Sequence, residues 1–118
     1  MTEVADIAKL ADNVTVGGED RRKVVLRDEH LALARIVYDP GEGNDYHWHD
    51  GTSQALFVVE GRFMVRTQHP DGKISEHLIE QGQCALVGDR ERESFINPGP
   101  GRAVVYQVLR PGIKVIRD

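Results

Sequence analysis

Apolar and polar positions alternate in short blocks along most of the chain, and Gly, Pro, Asn and Asp separate the blocks. That period of two places successive side chains on opposite faces of a strand. Lys23–Leu26 and Leu31–Tyr38 are the first two strands expected, the second ended by Asp39-Pro40-Gly41. Proline removes a ladder donor and glycine permits positive φ, so pairing stops there. Further strands are expected at Gln54–Val59, Arg62–Thr67, Ile74–Ile79, Cys84–Val87, Glu93–Ile96 and Ala103–Leu109. Glu60-Gly61, His69-Pro70-Asp71-Gly72, Gln81-Gly82, Asn97-Pro98-Gly99-Pro100-Gly101 and Pro111-Gly112 form turns or loops. With the segment around His47, this makes about nine short strands without helical crossovers. Such spacing predicts an all-β antiparallel sandwich or small barrel.

The N-terminal segment differs. Val4, Ile7, Ala8 and Ala11 share a helical face, Thr2 suits the N-cap, and Glu3 and Asp6 lie near the positive end of the dipole. Asn13 can close a short N-terminal helix of about three turns, which needs a surface to dock on. A brace or a dimer contact is its expected role.

Composition narrows the partners. With 118 residues the chain is read as a single domain, 1–118, with no repeat or linker. A net charge of -4 argues against nucleic acid, which is held by a basic stripe. The longest apolar run, Ala55 to Val59, is far shorter than the roughly 20 residues of a membrane helix. The N-terminus lacks the pattern of a secretion signal, so a cytoplasmic location is expected. The one cysteine, Cys84, excludes an internal disulfide and a multi-cysteine zinc cage. It is expected to be a buried, small apolar residue.

His47 and His49 stand two apart, so on a strand both imidazoles enter the same interior while Trp48 faces away. Such a pair presents two nitrogens to one divalent ion, and Gln54 offers an amide oxygen five positions on. The chain Gly41-x5-His47-x-His49-x4-Gln54-x6-Gly61 resembles the first motif of the cupin superfamily, residues 41–61. Gln54 stands where cupins most often carry Glu. The second cupin motif is matched in part over 82–97: Gly82 and Asn97 agree. Gly88 stands for its Pro, Arg90 for its Gly and Glu93 for its ligand His. The resemblance implies a cupin-type double-stranded β-helix, or jelly-roll, barrel following the short helix. It also implies one divalent transition metal (Fe, Mn, Ni, Zn or Cu) and a homodimer.

The two departures offset each other. Cupin sites typically hold three His and one Glu; here Glu has become neutral Gln54 and His has become Glu93. The set His47, His49, Gln54 and Glu93 therefore again carries one carboxylate, and two imidazoles with a carboxylate are the ligands of non-haem Fe(II) oxygenases. Glu93 shares strand parity with Phe95 and Asn97, which favours the interior. Its place in the five-charge run Asp89–Glu93 favours the surface. Gln54 is either a ligand or a hydrogen-bonded interior amide. One of Tyr106 and Gln107 faces inward. His30, His69 and His77 are expected on the surface. The expected function is a metal-dependent enzyme acting on a small organic molecule, with dioxygenase chemistry first and lyase, hydrolase or isomerase chemistry as alternatives. A binding module that has lost its metal is the non-catalytic alternative.

Overall fold

The computed structural model describes residues 2–9, 22–111 and 115–117. Ten strands follow one another: β1 Arg22–Arg27, β2 Ala32–Tyr38, β3 His47–His49, β4 Gln54–Glu60 and β5 Arg62–Gln68. The rest are β6 Ile74–Glu80, β7 Cys84–Val87, β8 Arg92–Ile96, β9 Ala103–Leu109 and β10 Val115–Arg117. They build two five-stranded antiparallel sheets, ordered β1-β2-β9-β4-β7 and β10-β3-β8-β5-β6. Of the chain neighbours, only β1–β2 and β5–β6 stay in one sheet and every other pair changes sheet, which wraps the strands as a jelly roll. No helix among the described residues is long and apolar enough to cross a membrane.

Alternation does the sorting. On β4, Gln54, Leu56 and Val58 are buried while Ala55 and Phe57 are exposed. On β9, Ala103, Val105, Gln107 and Leu109 face the interior. The apolar core comprises Ile36, Tyr38, Leu56, Val58, Phe63, Val65, Ile79, Val87, Phe95, Ala103 and Val105. Polar groups fill the other end of the same interior: His47, His49, Gln54, Glu93 and Gln107 are all buried. Phe95 joins the two zones. Its ring centroid lies 5.2 Å from that of Phe63 and 6.1 Å from that of His47.

Three expectations change. The described part of the N-terminal segment holds only a 3-10 turn, Ile7–Lys9, with no buried residue. Val4 is 91% exposed and Ile7 only half-buried, so the described part of the apolar face gains little from docking, and a short helix without docking does not persist. Residues 10–13 of that segment lie outside the described residues. Cys84 is exposed, because on β7 Ala85 and Val87 take the inward parity. A tenth strand follows Pro111-Gly112: β10 pairs with β3, setting Arg117 opposite His47 and Val115 opposite His49.

Two motif residues fix the frame. Gly61 has φ 72°, and a Cβ there would lie 2.3 Å from the Arg102 carbonyl oxygen, so no side chain fits. Asn97 is fully buried and bridges two connections. Its Nδ2 donates to the carbonyls of Tyr38 and Gly101, both at 2.9 Å, and its Oδ1 accepts from Gly99 N–H at 2.8 Å.

Candidate metal centre

Short strand β3 carries His47 and His49 inward, and β8 brings Glu93 directly opposite His47. Glu93 has no solvent-accessible surface. The register therefore prevails over the charged run around it: Arg90 turns out to an ion pair with Asp50 at 2.9 Å, while Glu93 turns in. Both imidazole Nε2 atoms face Glu93 Oε1, at 3.4 Å from His47 and 3.5 Å from His49. One ligand atom from each of these residues lies within 4.8 Å of the other two.

The donor set suits a divalent transition ion. A tetrahedral ion with bonds of about 2.1 Å places its ligand atoms about 3.4 Å apart, which is the separation between Glu93 Oε1 and the two nitrogens. His47 Nδ1–H donates to the Asp45 carbonyl at 2.9 Å, so the Nε2 lone pair of the neutral ring points at the cluster. Glu93 Oε2 and His49 Nδ1 are buried and have no hydrogen-bond partner among the described residues. A buried carboxylate oxygen without a donor is costly, and a cation would satisfy it.

The same geometry acts on protons. Burial presses His47 towards its neutral form. Hydrogen bonding to Glu93 and to the Asp45 carbonyl, with the Glu93 charge, outweighs burial and raises its pKa, while the Arg117 charge opposes the rise. A proton on Nε2 and a metal ion therefore compete for one place.

Gln54 and Gln107 complete the polar end. Gln54 Nε2 donates to Glu93 Oε1 at 2.5 Å, and Gln107 Nε2 donates to Gln54 Oε1 at 2.5 Å. Gln54 thus stands beside the three-residue cluster as a donor to the carboxylate. Of Tyr106 and Gln107, the glutamine faces inward and Tyr106 is only half-buried. The sequence left open which of Tyr106 and Gln107 faces inward, and the Asp45 carbonyl did not stand out in it. Backbone acceptors leave no residue signature, and apolar residues flank Gln107 on both parities of β9.

Arg90 occupies the glycine position of the second motif and keeps a left-handed backbone, φ 63°. Its N–H bonds the His49 carbonyl at 3.0 Å, and Asp89 Oδ1 accepts the backbone N–H groups of Gly51 and Thr52. The loop before Glu93 is thereby tied to the loop after His49. A cavity of about 360 Å³ opens between β5–β6 and β7, with Val65, Thr67, His77, Ile79, Ala85 and Val87 among its walls, and His47, His49 and Glu93 are not among them. Thr67 is the ladder neighbour of Glu93, and Val87 that of Gln54. His30, His69 and His77 are all exposed.

Comparison with known proteins agrees with this architecture. The family model described as a cupin domain matches residues 34–109, and the chain belongs to that family. It is similar to germin-like protein subfamily 2 member 3 of Arabidopsis thaliana, with 29% identity over 89 residues. That match covers 73% of this chain and 41% of the relative, so the chain spans about two fifths of the length of that curated protein. Among solved structures, TT1209 from Thermus thermophilus superposes with a TM-score of 0.76 at 22% identity, covering 93% of this chain and 98% of that one. Oxalate oxidase in complex with the substrate analogue glycolate superposes with a TM-score of 0.74 at 17% identity, covering 95% and 62%. At these identities the superpositions show a shared fold.

Proposed function

We propose that the chain is a metal-dependent cupin enzyme that holds one divalent transition ion with His47, His49 and Glu93 and oxidises a small organic molecule with O₂. The observation that carries this reading is the convergence of two imidazole nitrogens and one buried carboxylate oxygen at ligand spacing. Two His and one carboxylate leave positions open on the ion, the donor content associated with Fe(II) oxygen chemistry. When bound, the ion would polarise a chelated substrate oxygen and supply the redox couple.

The chain's own groups do the rest. Asp45 holds the His47 ring in one tautomer, and Phe95 packs its edge against that ring. Gln54 steadies the carboxylate. The apolar core beneath excludes water from that side. The cavity of about 360 Å³, lined by the ladder neighbours of Glu93 and Gln54, suits a molecule of a few carbons rather than a polymer. With Glu93 as its one anionic ligand, a divalent ion held there would keep a net positive charge, which would favour an anionic oxygen chelator such as a hydroxy or keto acid. The fold shared with an oxalate oxidase that binds glycolate is consistent with that substrate class.

For the partner we infer a second copy of the chain on the outer face of the first sheet. Leu86 is 75% and Phe57 45% exposed there, on facing strands.

The test combines metal analysis with oxygen uptake. Protein purified without chelator is expected to hold close to one Fe or Mn per chain and to consume O₂ with a short hydroxy or keto acid. Metal without O₂ consumption would favour lyase, hydrolase or isomerase chemistry. Less than about a tenth of an equivalent after metal-replete expression would leave a metal-free binding module.

A further inference from the structure

Resting on the metal reading above, we propose that Gln107 is a positioning residue: through Gln54 it fixes the Glu93 carboxylate and keeps Gln54 a hydrogen-bond donor instead of a metal ligand. The argument runs outward from the carboxylate. A carboxylate only accepts hydrogen bonds. The Gln54 atom 2.5 Å from Glu93 Oε1 is therefore its NH₂ group. The Gln54 carbonyl oxygen then points the other way, at an atom of Gln107 also 2.5 Å off, which has to be a donor as well. Each orientation forces the next, and turning either amide over would press two buried oxygens together.

The three side chains are sealed from water. Glu93, Gln54 and Gln107 are each nine-tenths or more buried, so no solvent molecule stands in for a lost partner. The fold reaches this contact diagonally. Gln107 lies directly opposite Leu56 on β4, one inward position from Gln54. The chain ends at Gln107 Oε1, which has no partner among the described residues. The polarity of the series therefore starts at Glu93.

Two consequences follow for the centre. The Gln54 oxygen is engaged by Gln107 and turned from the histidines. Glu93 Oε1 is held towards both Nε2 atoms, and Oε2 stays without a donor. The pairing also accounts for an amide at position 54. A glutamate there could not donate to Glu93, and two carboxylates would face each other.

The experiment uses the full chain in two forms. In metal-free protein, the Gln54 side-chain NH₂ resonances are followed by NMR in the parent and in Gln107→Met, a substitution of matched length without a donor. They are expected to exchange slowly with solvent in the parent and to shift in the variant; unshifted resonances would overturn the proposal. Co²⁺ affinity is then measured in the parent, Gln107→Met, Gln54→Met and the double variant. Gln107→Met is expected to weaken Co²⁺ about tenfold with Gln54 present and to add nothing in the Gln54→Met background. Equal losses in both backgrounds, or none in either, would overturn it. Should Gln107→Met not fold, Gln107→Leu also removes the donor, and parental Co²⁺ affinity in that variant would overturn it equally. A parent that binds no Co²⁺ defeats the metal reading alone, and the NMR comparison still decides the amide series.

Discussion

His47 and Glu93 sit directly opposite each other on adjacent strands, with Nε2 and Oε1 3.4 Å apart in an interior closed to water. Without a metal, a proton on Nε2 holds that pair together. Since the His47 pKa is raised in the folded protein, its contribution to stability is complete below the unfolded value of about 6.5. It is lost as pH rises through the folded value. Metal-free protein is therefore expected to lose stability to urea across that range, and His47→Gln to lose the dependence. Co²⁺ affinity is expected to move the other way, rising with pH as the proton leaves. A flat urea profile for the metal-free parent would contradict the pairing.

Removing the charge of Glu93 while keeping its shape isolates its role. Glu93→Gln is expected to weaken divalent metal binding by more than about 100-fold, beyond the 10–100-fold typical of a residue behind the ligands. His47→Ala and His49→Ala should each abolish occupancy. Metal content by mass spectrometry, beside circular dichroism to establish folding, checks all three. Full loading of Glu93→Gln would remove the carboxylate from the ligand set.

Arg90 combines a left-handed backbone with an exposed ion pair to Asp50. A non-glycine residue in that region costs about 1–2 kcal/mol, and an exposed pair returns about 0–1 kcal/mol. Arg90→Gly is expected to be more stable than Arg90→Ala by about 1 kcal/mol. Urea midpoints at equal slope measure the difference, and equal midpoints would mean that the strain is relieved elsewhere in the loop.

Asn97 replaces backbone pairing where the chain turns through Asn97–Gly101. Asn97→Ala strips partners from the Tyr38 and Gly101 carbonyls and from Gly99 N–H. A loss of about 2–4 kcal/mol is expected, since unpaired buried groups cost about 1–3 kcal/mol each and water reaches part of the loop. Thermal unfolding measures it. The metal site, on other residues, should keep its affinity in whatever fraction remains folded.

The outer face of the first sheet gives the assembly test. Leu86→Lys places a charge on the edge strand of that face, next to the strand that carries Phe57, and sedimentation equilibrium is expected to change from dimer to monomer. Monomeric parent protein at tens of micromolar would rule out the second copy as its partner.

Much of this architecture is legible because a strand repeats every two residues. Parity alone sends His47 and His49 inward together and sets Glu93 with Phe95 and Asn97, against the local excess of charge. The bounds of Cys84–Val87 and Ala103–Leu109 follow from the glycines and prolines beside them. Where parity is ambiguous, the sequence is silent. Both faces of β9 are apolar, with Val104 and Val108 on one and Val105 and Leu109 on the other, so nothing marks Gln107 as the inward residue. Cys84 opens an edge strand whose four residues are all apolar, and only the register on β4 turns it outward. β10 has three residues, too few to carry a pattern, and exists because β3 offers it an edge. Over residues 2–9 the expected helix gives way to a 3-10 turn for the converse reason: a helical pattern with little to cover has little tertiary energy behind it.

Phe95 touches Phe63 on one side and His47 on the other, and that single ring divides the molecule's labours. Below it, substitutions act on the apolar core; above it, they act on the donor cluster and on the stability that the His47–Glu93 pair supplies. A lineage could therefore exchange the donors in the upper half, as His for Glu at position 93, without renegotiating the foundation that keeps the barrel standing.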